Sequence, residues 1–381
     1  MASTSIIDMH LLNSLIQHSY KGVIRQLLFL ADPELVHRRT TALGEKLGKS
    51  KLAKGTLASL FRSNNPAIAQ SLFGIKFQTP VGLAAGFDYE ARLAQILPSL
   101  GFGFGTVGTL TNNPYEGNPR PMLGRLPKSR SLMVNKGFKN FGVEATLERL
   151  RGKNFEYPVG VSLGKTNNPA IGTVEQTVED IVSAFCKAEK SEVPFAYYEL
   201  NISCPNLSGS MDFYEPKRLE RLLDAVSNLH VSRPIFIKMP ISKTDDEILA
   251  MMEVIIRHQC IKAAIFGNLQ RDRRHKTLFP AEVQKFSVGN FSGLPCQKRS
   301  DELIRLIFKK YGSKIRIIGC GGIFSADDAY RKIKLGASLV QLITGLVFEG
   351  PQLVSQINYE LAYSLKRDGY SSIREAIGVG A

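Results

Sequence analysis

Residues 201–206 read NISCPN, so that two carboxamides, a hydroxyl and a thiol gather at the end of a predicted buried strand. A cysteine thiol has a reference pKa of roughly 8.5 and exchanges a proton near neutral pH, where a serine hydroxyl needs help. Asn201 and Asn206 beside it can donate and accept at once, which suits a planar, amide-rich ligand. The same residues also suit a plain strand end, with Asn and Pro turning the chain and Cys204 as a small buried hydrophobe. Which reading holds depends on where the fold puts the loop.

The elements that must position this loop are eight short runs rich in Val, Ile, Leu and Gly, starting at Thr79, Gly103, Pro158, Ala196, Pro234, Ala263, Ile315 and Ser338. They alternate with longer segments of helical pattern. Near-continuous apolar strands of this kind belong to a parallel sheet with helices on its outer face, and eight repeats favour a (β/α)8 TIM barrel over an open sheet. Each run ends in small or polar residues: Ala85 and Gly86, Thr109, Lys165, Asn201 and Ser203, Lys238, Asn268, Gly321 and Gly322, Thr344 and Gly345. In a barrel these converge on the C-terminal rim, where active sites lie. Turn chemistry accounts for any one of them but not readily for all.

The glycines after the seventh run and the Thr-Gly pair after the eighth make a backbone cradle for phosphate. No metal-ligand cluster is in view, so a phosphate-bearing organic cofactor such as flavin mononucleotide (FMN) is the natural occupant. Lys238 would stand in the barrel mouth, suited to the electron-rich edge of a reduced flavin. A structural ion pair is the other reading; no acidic residue at the neighbouring strand ends favours it.

The chain has 381 residues, 22% charged and 44% apolar, enough for one large barrel with an appendage and unlike a disordered protein. Its net charge of +15 comes from scattered Lys and Arg without interleaved aromatics, so nucleic acid is not an expected partner. Five cysteines at 186, 204, 260, 296 and 320 form no CxxC pair, consistent with a reduced setting and no structural zinc. No run approaches the roughly 18 apolar residues of a membrane span. Leu11, Leu12, Leu15, Ile16, Tyr20, Val23, Ile24, Leu27 and Leu28 follow helical spacing, with Gly22 able to bend the helix. Asp32 as cap and Pro33 at the first helical position begin a second helix carrying Leu35, Val36, Leu43 and Leu47. The expected organisation is therefore residues 1–65 as two short amphipathic helices and residues 66–381 as the FMN-binding barrel. The helical stripes fit packing on the barrel, a membrane surface, or both.

These residues carry a resemblance. GLAAGFD at Gly82, VGTLT at Val107, EGNPRP at Glu116, KGFKNFG at Lys136, NISCPN at Asn201, FSGLP at Phe291, GCGGI at Gly319 and GASLVQLITG at Gly336 are similar in order and spacing to the dihydroorotate dehydrogenases. The DPE start at Asp32, His37 and the N-terminal helices resemble the membrane-associated, quinone-reducing class 2 branch. The resemblance implies FMN across the barrel mouth, contacted by Ala85, Gly86, Thr109, Asn201, Lys238, Gly293, Gly322, Ile343 and Thr344. It implies dihydroorotate stacked on the flavin and read by Asn135, Asn201, Asn206 and Asn268. Cys204 stands where that family keeps the base that removes the C5 proton while the C6 hydride passes to flavin N5. A quinone would enter between the N-terminal helices, with the protein peripheral on a membrane, expected at the cytoplasmic face of a bacterial inner membrane. The presence of Asp8 and few arginines at the start disfavours a mitochondrial transit peptide.

The chain departs from the class 2 pattern at several positions. Cys204 replaces its serine and is the habit of the soluble class 1 enzymes; a thiol base predicts a pH optimum below that of a serine enzyme. Tyr89 stands where the family has a lysine that contacts flavin and the orotate carboxylate, and Val134 where it has asparagine, with Asn135 adjacent. Lys136 and Lys139 are unusual for the motif, and either can supply the missing positive charge. Ser162, Gly267 and Leu269 also differ. Beside a quinone-linked dihydroorotate dehydrogenase, these departures leave open an FMN oxidoreductase acting on another cyclic amide or enone, and a degenerate flavin-binding module.

Overall fold

A computed structural model describes residues 2–209 and 211–381. Its centre is a closed parallel barrel of eight strands: β1 (Val81–Leu83), β2 (Phe104–Leu110), β3 (Val159–Leu163), β4 (Tyr197–Asn201), β5 (Ile235–Met239), β6 (Ile261–Phe266), β7 (Arg316–Cys320) and β8 (Ala337–Leu342). These coincide with the eight runs read from sequence. Residues of β2, β3, β4 and β5 are buried throughout, because helices cover the outside and side chains fill the inside.

The barrel interior is layered. At its lower end Phe104, Tyr197 and Phe236 form an apolar plug with Ile265, Ile318 and Leu339. Tyr197 stacks on Phe236 with ring centroids 4.6 Å apart. An antiparallel hairpin, Gln70–Leu72 with Ile75–Phe77, closes that end by setting Phe77 edge-on to Phe104 at 5.4 Å. Along β4 the period of two puts Tyr197, Glu199 and Asn201 on the inward face in succession, so polarity rises toward the C-terminal rim.

The N-terminal part holds more helix than the two predicted. The first predicted helix is α1 (Ala2–Ser19), a π-helical turn at Tyr20–Ile24 that includes Gly22, and α2 (Arg25–Leu30). The second is α3 (Pro33–Lys49), capped by Asp32, whose carboxylate accepts from the Leu35 N–H at 2.8 Å. A further helix, α4 (Lys51–Phe61), starts at Ser50, whose hydroxyl accepts from the Ala53 N–H; its break from α3 spans a single residue, which periodicity alone does not show. Gly44 and Gly48 let α3 lie against residues 93–96, since a Cβ at Gly44 would come within 2.4 Å of Leu93 Cδ2.

A small antiparallel sheet of Leu123–Leu126, Ser131–Val134 and Asn290–Phe291 was not predicted. It is inserted between β2 and β3 and pairs with a segment after β6, so no local repeat marks it. Among the described residues no helix is long and apolar enough to cross a membrane.

Candidate active site

A cavity of about 730 Å³ opens from the C-terminal rim of the barrel and runs on between α3, α4 and the turn before α2. That is within the size of cofactor and substrate pockets, ~300–1,000 Å³. Of the residues named from sequence, Cys204, Asn201, Asn206, Asn268, Ala85, Gly86, Thr109, Lys238, Gly293, Gly322, Ile343 and Thr344 all line it. Asn135 does not. Its carboxamide accepts from Asn118 Nδ2 at 3.1 Å and donates to Pro119 O at 3.2 Å, while Val134 and Lys136 on either side face the cavity. The extended backbone there sends alternate side chains to opposite sides, so Asn135 supports the wall rather than forming it.

The polar end of the cavity carries two hydrogen-bonded chains of carboxamides, one centred on Asn206 and one running from Asn268 to Thr109. Asn206 donates to Val134 O at 3.0 Å and accepts from Asn290 Nδ2 at 2.6 Å; its carbonyl accepts from Asn118 Nδ2 at 2.9 Å. Asn268 donates to Ser203 O at 2.8 Å, and Ser203 N–H donates to Asn201 Oδ1 at 3.2 Å. Asn201 in turn donates to Thr109 Oγ1 at 2.9 Å. Asn118 and Asn290 were not picked out from sequence, though Asn118 lies inside EGNPRP and Asn290 immediately precedes FSGLP. A carboxamide in or beside such a motif was the available signal.

Cys204 lines this end with part of its surface accessible. Burial pushes its thiol up to about 12, only partly countered by the Asn206 backbone N–H and the charge of Lys238. The expected lower pH optimum is therefore not supported: the intrinsic acidity of a thiol is offset by desolvation of its anion.

Lys238 is also not free of acidic neighbours as the strand ends implied. Its Nζ lies 3.7 Å from Glu199 Oε1, one inward-facing position below Asn201 on the adjoining strand. The pairing is invisible when only strand ends are compared.

Tyr89 packs against two side chains. The His37 imidazole stacks on its ring at 5.3 Å and 9°, and Lys136 Nζ lies 4.2 Å from the ring centroid. Burial lowers Lys136 to about 8, and burial likewise lowers His37 to about 3, so that its ring is neutral at physiological pH. The His37 Nε2–H donates to Phe87 O at 2.8 Å. Lys139 instead donates to Glu116 O at 2.6 Å. Of the two lysines, Lys136 brings its ammonium beside Tyr89, and no carboxylate lies within ion-pair distance of it among the described residues.

The cavity fits a flavin phosphate and ring. Gly293, Gly321 and Gly322 line it with φ of +81°, +98° and +70°, and Ser292 and Thr344 hydroxyls meet there at 2.8 Å. At Gly86 (φ +111°) the nearest atom to an added Cβ is Ile343 Cδ1 at 3.9 Å, leaving room that a side chain would take. Among the described residues no cluster of His, Cys, Asp or Glu is arranged to hold a metal ion.

The N-terminal helices are fastened to this mouth by polar contacts. Buried Glu349 accepts from Lys21 at 2.6 Å, Arg130 at 2.7 Å and Gln17 at 3.2 Å. Tyr20 donates to Val347 O at 2.8 Å, and Arg125 to Ala31 O at 2.7 Å. Leu11, Leu15, Val23, Leu27, Leu30 and Leu43 are left exposed, Leu30 at 86%.

Comparison with known proteins agrees with this geometry. A family model described as dihydroorotate dehydrogenase matches residues 67–365. A dihydroorotate dehydrogenase (quinone) of Roseiflexus sp. (strain RS-1) is 36% identical over 372 residues, covering 95% of this chain and 98% of its own. That of Christiangramia forsetii is 37% identical over 346 residues, covering 90% and 98%. Among solved structures, a ligand-free dihydroorotate dehydrogenase from Eimeria tenella matches with a TM-score of 0.80 and 26% identity over 91% of this chain and 99% of that one.

Proposed function

The chain belongs to the dihydroorotate dehydrogenase family, and from that premise we propose that it oxidises dihydroorotate to orotate, using bound FMN and delivering the electrons to a quinone. The observation that carries this reading is one continuous cavity, which joins Cys204, Lys238 and the glycine cradle to a cleft walled by the N-terminal helices. Substrate chemistry at one end and an apolar acceptor channel at the other share one water-poor space.

FMN supplies the hydride acceptor and the relay of electrons. Gly293, Gly322 and Thr344 would hold its phosphate; Ala85, Gly86, Thr109, Asn201 and Ile343 would border the rest; and Lys238 would meet the edge that gains charge. Asn201, Asn206 and Asn268 present carboxamides to the pyrimidine, with Asn135 bracing Asn206 through Asn118. Cys204 takes the C5 proton; its high pKa makes it a weak acid when free and a strong base once ionised. Lys136, standing beside Tyr89 with no carboxylate at ion-pair distance among the described residues, supplies the cation for the substrate carboxylate. Residues 1–65 form the quinone-access unit, and their exposed leucines dock peripherally on a membrane surface.

The test is anaerobic. The purified protein should carry a flavin spectrum, bleach on adding dihydroorotate, and turn over with a soluble ubiquinone analogue. Cys204→Ala should retain the flavin and lose bleaching. A flavin-loaded protein that no dihydroorotate reduces, but that another cyclic amide or enone does, would replace this reading with the oxidoreductase of different substrate.

A further inference from the structure

Just below the polar end of the cavity, four neighbouring barrel strands are linked through one buried carboxylate. Glu199 on β4 has no exposed surface. Its Oε1 accepts from Ser162 Oγ on β3 at 3.3 Å and lies 3.7 Å from Lys238 Nζ on β5. Ser162 Oγ in turn meets Thr109 Oγ1 on β2 at 2.9 Å, the hydroxyl that receives the Asn201 amide. Glu199 Oε2 has no hydrogen-bond partner.

A fully buried carboxylate with one unpartnered oxygen is costly to hold, and a single hydroxyl donor is little compensation. The cation within reach is Lys238. At 3.7 Å the pair is electrostatic rather than hydrogen-bonded, so the ammonium keeps its donors for the cavity that it lines. Two opposite charges stacked in this way present the cavity with a lysine whose field is partly cancelled from beneath.

We propose that Glu199 is a positioning residue that offsets the charge of Lys238 and thereby lowers the reduction potential of the bound flavin. This rests on the flavin reading above. Reduction adds electron density at the cofactor, which a bare lysine would stabilise strongly; the carboxylate moderates that stabilisation and keeps the reduced flavin willing to give its electrons to a quinone.

The test is the midpoint potential of the flavin-loaded protein, measured against reference dyes, for wild type, Glu199→Gln and Glu199→Leu. Both variants remove the charge, one keeping the shape and the other avoiding a buried unpaired amide, so either one that folds with flavin bound suffices. The expected result is about a tenfold higher reduced-to-oxidised ratio at fixed potential, equal to ~30 mV upward for a two-electron couple. Lys238→Met should move the potential the opposite way. Unchanged or lowered potential in the folded Glu199 variants overturns the inference and leaves the proposed activity standing. A wild-type protein that takes up no FMN overturns both.

Discussion

Lys136 and Cys204 are two cavity side chains whose pKa values burial moves in opposite directions. With no anion bound, burial sets Lys136 near 8, so its ammonium is mostly charged at pH 7 and progressively lost above pH 8. A bound carboxylate favours the charged form, so the KM for dihydroorotate should be flat below pH 8 and rise above it. Lys136→Met removes the charge at every pH; loss of one partner of a buried pair costs about 3 kcal/mol, roughly a 100-fold rise in KM. A KM unchanged in that variant would move the carboxylate to another partner. Cys204 behaves differently. With its thiol pushed to about 12, the rate of flavin bleaching should climb with pH through 9 and 10 without levelling. A plateau centred near the ordinary thiol value of about 8.5 would mean that bound substrate opens the site to water or brings a further charge to it. Cys204, Lys238 and the rim glycines were legible in sequence because residue type and strand-end position together mark them. The Glu199–Lys238 pair and the support role of Asn135 were not, because both depend on which neighbour lies across the sheet.

The barrel strands were legible as elements for a simple reason: each is an apolar run closed by small or polar residues, repeated eight times. The inserted sheet was not, since its three strands come from two distant parts of the chain and only tertiary pairing joins them. The helix start at Asp32 shows how local chemistry persists, its side chain accepting from a backbone N–H in the first turn as its position before Pro33 implied. What local chemistry does not reveal is the fastening of the first helix to the barrel. Glu349 is buried, while Lys21 and Arg130 are each about two-fifths exposed, which limits each ion pair by solvent screening. Glu349→Gln should therefore weaken docking of α1 by only about 1–2 kcal/mol. Hydrogen exchange in residues 11–30 should speed up by about tenfold or somewhat more. The KM for quinone should rise while bleaching by dihydroorotate keeps its wild-type rate. Equal damage to both half-reactions would show instead that Glu349 holds the barrel mouth itself.

At the scale of the whole molecule, the polar contacts and the apolar faces of the N-terminal helices point in complementary directions. Tyr20, Lys21 and Arg25 spend their polar atoms on residues 347–349, and Arg125 reaches up to Ala31, so the helices are pinned from the barrel side. Leu27 and Leu30 are left 64% and 86% exposed on the helix whose Leu28 lines the cavity proposed to hold the flavin. Large apolar side chains left exposed on a helix that walls the cavity suit a face turned toward a lipid phase, and the net charge of +15 adds attraction to an anionic surface. Burying one leucine contributes about 1.5–3 kcal/mol, and the unburied fraction of these two supplies most of that for each. Replacing both with Asp should lower the partition onto vesicles containing anionic lipid by ~100-fold or more, measured by co-sedimentation at low salt. Dihydroorotate bleaching and turnover with a soluble quinone analogue should persist, because neither leucine touches the polar end of the cavity. Turnover with a long-chain quinone embedded in the vesicles should fall in step with binding. Undiminished sedimentation of the double variant would assign the exposed leucines to a contact with another protein surface and leave the lipid route to the remaining helices.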